Sequence, residues 1–211
     1  MIKNQKGFTL TELIAGLALS TLLFTGFTMF MVQFVNNFKE IKEFHQLQTD
    51  LLHVIESIRY GYIDKSKIGE RSIIGLLTAG RVEIGIAANN LTVYPVNKSN
   101  KPYWAKYYLD SFGQVRIQAI YDQHVIGFNS NEGVLFPSSK EKIKNALKYQ
   151  VTNFKIVDMS NDKSLIHISI EGMVRFREKA KNQTTDDDLR LNTKRAKFES
   201  TVFLVNGKKD N

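Results

Sequence analysis

The sequence predicts an α+β fold, with one long N-terminal helix packed on an antiparallel-sheet head. Three observations carry this expectation. The first is an apolar run near the N-terminus, from Leu13 to Val35, that holds no charged side chain. The second is its continuation as apolar residues three and four apart: Phe34, Phe38, Ile41, Phe44, Leu47, Leu51, Ile55 and Ile58. That spacing is one face of a helix. The third is a change after Gly61 to short segments rich in Val, Ile, Tyr, Phe and Thr, set between turn residues. Such segments read as strands.

The helix is expected from about Phe8 to Tyr60, roughly 80 Å at 1.5 Å per residue. Lys39, Glu40, Lys42, Glu43, Gln46, Asp50 and Glu56 fill the positions between the apolar ones, and Gly61 supplies a C-cap. The apolar run covers roughly 35 Å, more than a hydrocarbon core of about 30 Å. Ser20, Thr21, Thr25 and Thr28 are tolerable there because their hydroxyls can return to helix carbonyls.

Beyond Gly61, Arg81–Ala87 alternates around Val82, Ile84 and Ile86, and Leu91–Tyr94 is a short β-rich stretch before Pro95. Trp104–Leu109 and Gln114–Tyr121 flank Asp110-Ser111-Phe112-Gly113, a hairpin connection. Ser139–Lys148 is a candidate for a short basic helix. Val151–Val157, Leu165–Ile170 and Lys197–Val205 complete the strands. Short connections imply antiparallel pairing, so a single meandering sheet is expected against the upper helix. The region from Tyr62 to Arg81 carries no recognisable pattern.

Composition narrows the class. The chain has 211 residues and no cysteine, so neither disulfides nor thiolate metal sites are available. Removing the helix leaves about 150 residues, enough for one modest core. The formal net charge is +8, falling by two if Lys3 and Lys6 are removed. A basic balance fits contact with DNA or anionic lipid, and equally a solvated surface, which is the reading favoured here.

The apolar run opens with Lys6-Gly7-Phe8-Thr9-Leu10-Thr11-Glu12. A plain anchor has no use for Glu12, because an ionisable group inside a bilayer is costly and requires a partner. Phe8 and Glu12 share a helix face. Were the chain cut after Gly7, an amine of reference pKa about 7.7–8.0 would stand beside that carboxylate. Glu12 can then pair with its own amine or a neighbour's, and the second pairing would fix helix register.

This segment resembles the class III signal peptide of type IV pilins and type II secretion pseudopilins: a short basic leader, Gly7, Phe8 as first mature residue and Glu12 as the fifth. The resemblance implies that a prepilin peptidase cuts between Gly7 and Phe8 and methylates the Phe8 amine. It implies a leader at 1–7, a transmembrane stem at 8–38 and a head at 39–211. The C-terminal strands, from Tyr149 to Asn206, are similar in layout to J-type pseudopilins and W-type minor pilins. That likeness implies a non-enzymatic minor subunit, single-pass in the inner membrane with its head in the periplasm or outside. Its role would be to initiate or cap a filament with other minor pilins or pseudopilins, whose contacts run through the N-terminal helix. No cofactor and no small-molecule substrate are implied. The stem has no proline and the head no disulfide, departures from many major pilins.

An ordinary secretory signal is the plainer alternative, but its apolar region would be about 7–15 residues and end at a small-residue site. Here Ala15-Gly16-Leu17-Ala18 lies too early in a longer run. A major pilin, a competence-type pilin contacting DNA and a membrane-anchored enzyme are further alternatives. For the enzyme no nucleophile elbow, phosphate loop or zinc spacing is visible. His45 and His53 are eight apart, His124 stands alone and His167 alternates outward on a strand, so no metal pair is expected. Asp186-Asp187-Asp188 lacks the alternating calcium-loop spacing and reads as part of a solvated loop over Arg177–Lys194. DNA contact rests on Lys194-Arg195-Ala196-Lys197, on Lys208-Lys209, and on bases among aromatics at Tyr103, Trp104, Lys106, Tyr107 and Tyr108. Alternating aromatics on a strand more often pack a sheet.

Overall fold

The computed structural model describes residues 9–64, 71–96, 104–121, 124–126, 133–138, 148–160, 164–176 and 193–204. The chain divides into two compact units, Met1–Glu43 and Phe44–Asn211. Helix α1 runs Leu10–Tyr60, 51 residues, and contributes to both.

In the first unit α1 is exposed all round: Leu10, Phe24 and Phe38 are 76%, 73% and 61% exposed. Its polar interruptions are neutralised locally, as expected. Ser20 donates to the Gly16 carbonyl at 2.8 Å, Thr21 to Ala18 at 2.8 Å, Thr25 to Thr21 at 2.7 Å and Thr28 to Phe24 at 2.7 Å. Between Leu13 and Val32 what remains on the surface is aliphatic, thioether and aromatic.

In the second unit α1 buries Leu47, Leu51, Val54, Ile55 and Ile58. The apolar stripe read from the sequence starts too early. Phe34, Phe38 and Ile41 are 56%, 61% and 58% exposed, and burial begins with the partly buried Phe44. Asp50, placed by the pattern among polar positions, is 2% exposed. Its carboxylate accepts from Gln46 Nε2 at 2.8 Å and Ser138 Oγ at 2.7 Å, which offsets the cost of removing it from water.

Gly61 follows α1 with φ +93°, a conformation glycine adopts readily. A Cβ there would collide with the Ile73 carbonyl oxygen. The chain then forms a ribbon of β1 (Gly61–Asp64) and β2 (Arg71–Ile74) and a 3-10 turn at Leu76–Thr78. Beyond Gly61, all of this lies where the sequence shows no pattern.

Next come β3 (Ala79–Ile84), β4 (Asn90–Pro95), β5 (Trp104–Leu109), β6 (Val115–Tyr121) and β7 (His124–Ile126), an antiparallel meander in chain order. A further strand, β8 (Val134–Phe136), also pairs with β6. Asp110 shapes the β5–β6 turn: its Oδ1 accepts from the Phe112 and Gln114 amides at 2.9 and 2.8 Å, and Gly113 takes φ +73°.

The single meander is corrected to two larger sheets plus the ribbon. The second sheet has β10 (Leu165–Arg175) between β9 (Tyr149–Asp158) and β11 (Thr193–Phe203). The reason is a second apolar face that needs its own partner. Ile166, Ile168, Ile170 and Val174 of β10 are all fully buried. At Gly172 an added Cβ would lie 3.0 Å from Leu51 Cδ2 and 3.2 Å from Leu47 Cδ1. The meander meets the same helix through Tyr107, whose hydroxyl donates to the Ile74 and Ser57 carbonyls at 2.8 and 3.2 Å. Two turns of the meander bond to β9: Val151 N donates to Gly113 O and Ile156 N to Ala88 O, both at 2.8 Å. The α+β class expected from the sequence is the one observed. Residues 139–147 of the expected basic helix lie outside the described residues.

Candidate functional site

Thr9 is the last residue before α1 and Glu12 is in its first turn. The first amides of a helix have no partner within it. Here they are met reciprocally. The Glu12 amide donates to Thr9 Oγ1 at 3.4 Å, and Glu12 Oε2 accepts from the Thr9 amide and the Thr9 hydroxyl, each at 2.9 Å. This is a capping box, with a carboxylate at the positive end of the helix dipole. Its signal, Thr-x-x-Glu before an apolar run, stood in the sequence, where only Glu12 was singled out. Thr9 is therefore a site residue that sequence reasoning missed. Gly7 and Phe8 lie outside the described residues.

The exposed apolar segment that follows is long and apolar enough to cross a membrane. Each large apolar side chain moved from water into an apolar phase contributes about 1.5–3 kcal/mol, so this surface requires a nonaqueous environment or other helices.

Among the described residues, those cited for DNA contact do not form one patch. Alternation along β11 sends Arg195 and Lys197 to one face and Lys194 to the other. Arg195 lies 3.6 Å from the Glu171 carboxylate, and Lys197 lies 2.6 Å from Glu199. The Lys194 ammonium sits over the Phe44 and Phe176 rings, at 5.8 and 5.4 Å from their centroids. The strand also begins at Thr193, so Lys194 is not part of a loop. On β5, Tyr107 is fully buried, while Trp104, Lys106 and Tyr108 face outward. Tyr103, Lys208, Lys209 and Asp186-Asp187-Asp188 lie outside the described residues. His45 and His53 are exposed, and His167 Nδ1 is 3.0 Å from Thr201 Oγ1. Among the described residues no three His, Cys, Asp or Glu side chains converge.

Residues 2–28 match the family model described as the prokaryotic N-terminal methylation motif. The chain thus carries, at its N-terminus, the signal of a pilin-like or pseudopilin precursor. The motif implies processing by a prepilin peptidase and assembly with other pilins, as a structural subunit. No curated protein and no solved structure is similar to the chain.

Proposed function

We propose that this protein is a minor pilin or pseudopilin, a non-enzymatic subunit that initiates or caps a type IV pilus-like or type II secretion filament. The methylation motif at residues 2–28 carries the reading. The exposed apolar half of α1 and the polar start of that helix support it. In this account prepilin peptidase cuts between Gly7 and Phe8 and methylates the Phe8 amine. Residues 1–7 are the leader, 8–38 the stem in the inner membrane and 39–211 the head in the periplasm or outside.

While the subunit waits in the membrane, the Thr9 amide and hydroxyl meet the hydrogen-bonding demand of Glu12, and its shallow depth reaches the interface. The demand changes when the stem enters the filament, where an unpaired carboxylate among apolar helices is costly. There the partner is a neighbouring subunit's amine, and the pair sets register.

Glu12→Leu and Glu12→Ala subunits test this. They are expected to insert and be processed normally, yet to lose incorporation and stem crosslinking to partner minor subunits through cysteines introduced beside Phe8. Normal incorporation of Glu12→Leu would remove the carboxylate from the mechanism.

A further inference from the structure

The outward face of the meander presents a polar row between aromatic side chains. Thr92, Lys106 and Gln118 lie side by side on β4, β5 and β6, paired Thr92 with Lys106 and Lys106 with Gln118. Two positions further along the strands on one side stand Tyr94 and Trp104. On the other side stands Tyr108, paired with Asn90 and with Arg116. Neighbouring strands are about 4.8 Å apart and alternate residues about 7 Å apart, so the group makes a shallow platform. All six of these side chains are partly buried.

Two observations point to a ligand. Among the described residues, the Thr92 hydroxyl, the Lys106 ammonium and the Gln118 amide have no hydrogen-bond or ion-pair partner. The charged groups on β3 and β6 of this face are paired: Glu83 takes Arg81 and the Tyr94 hydroxyl, and Arg116 takes Asp110 at 2.6 Å. Unspent donors and acceptors therefore run along one row, and that row is flanked by the rings of Trp104 and Tyr108, whose N–H and hydroxyl also have no hydrogen-bond partner among the described residues.

We propose that this face binds a carbohydrate chain, uncharged or with a single acidic group. A hydroxyl and a primary amide each both donate and accept, which suits a ligand made of hydroxyls. Tyr and Trp offer an apolar ring with a polar tip, matching the C–H faces of sugar rings. The charge balance argues against single-stranded nucleic acid, which needs a track of cations along its phosphates. Here Arg81 and Arg116 are each committed to an acid. Lys106 is left as the one cation on this face without an acidic partner among the described residues, its ammonium 6.0 Å from the Tyr108 ring centroid. The proposal is independent of the filament reading, and either can fail alone.

The test uses full-length protein in a zwitterionic detergent that carries no sugar headgroup. It is passed over an array of immobilised neutral and uronic-acid oligosaccharides, with oligo-dT on the same surface. Trp104 is the single tryptophan of the chain, so its emission reports titration of any sugar retained. The expected result is retention of at least one sugar, with a change in Trp104 emission. Lys106→Met and Gln118→Leu should each weaken that binding roughly tenfold at an unchanged melting temperature. Thr92→Val, nearly isosteric, gives the same comparison if either larger change unfolds the head. Lys155→Met, on the outward face of the second sheet, should bind like the parent. Failure to retain any sugar, or equal binding by all the variants, overturns the proposal. Retention of oligo-dT alone overturns it in favour of nucleic acid.

Discussion

Tyr107 and Tyr108 are neighbours on one strand, and replacing each by Phe should have different consequences. Tyr107 is fully buried, and its hydroxyl reaches the Ile74 carbonyl at 2.8 Å and the Ser57 carbonyl at 3.2 Å. It thereby ties the meander to the ribbon and to α1. Tyr107→Phe keeps the ring and removes that link. Leaving a buried acceptor without its donor costs about 1–3 kcal/mol. For a domain of this size each kcal/mol is about 2–4 °C in melting temperature, so a fall of roughly 2–12 °C is expected. Tyr108 faces outward, and Tyr108→Phe should stay within about 0.5 kcal/mol of the parent. Thermal unfolding followed by near-ultraviolet circular dichroism, on both variants under identical conditions, decides the matter. Equal melting temperatures for Tyr107→Phe and the parent would refute the assigned link, as would equal losses in the two variants.

Two further outcomes follow from the packing. Gly172→Val should lower stability by about 1–3 kcal/mol, because even a Cβ at that position would stand 3.0 Å from Leu51 Cδ2; denaturant midpoints measure it, and a neutral result would mean α1 does not lie so close to β10. A head starting at Lys39 should fold on its own, since burial on α1 begins at Phe44 and continues to Ile58. Circular dichroism and amide exchange would reveal an unfolded chain, and a chelator should leave its melting temperature unchanged.

Legibility differed along the chain for physical reasons. The helix, the β5–β6 hairpin and the strong strands could be read because period and turn chemistry agree there, as with Asp110 and Gly113. Where burial of the apolar stripe begins could not be read. Phe34, Phe38 and Ile41 continue the same spacing as Leu47 and Leu51, and spacing does not say what covers a face. Asp50 was misplaced because its partner Ser138 is distant in sequence. The inward set of β9 shifts parity from Tyr149 and Val151 to Phe154 and Ile156, since a bulge intervenes opposite Glu171 and Gly172. Alternation alone cannot anticipate that. At the site, Glu12 stands out in the sequence as a charge among apolar residues, whereas the part played by Thr9 rests on reciprocal bonds to Glu12 that only the structure shows.

The central claim is that this chain is processed as a pilin-like precursor, and N-terminal mass analysis of protein extracted from membranes tests it most directly. In cells with an active prepilin peptidase the account predicts a mature chain that begins at Phe8 and carries a methyl group on its amine. An intact Met1 in those cells, or a cut near Ala18, would contradict it.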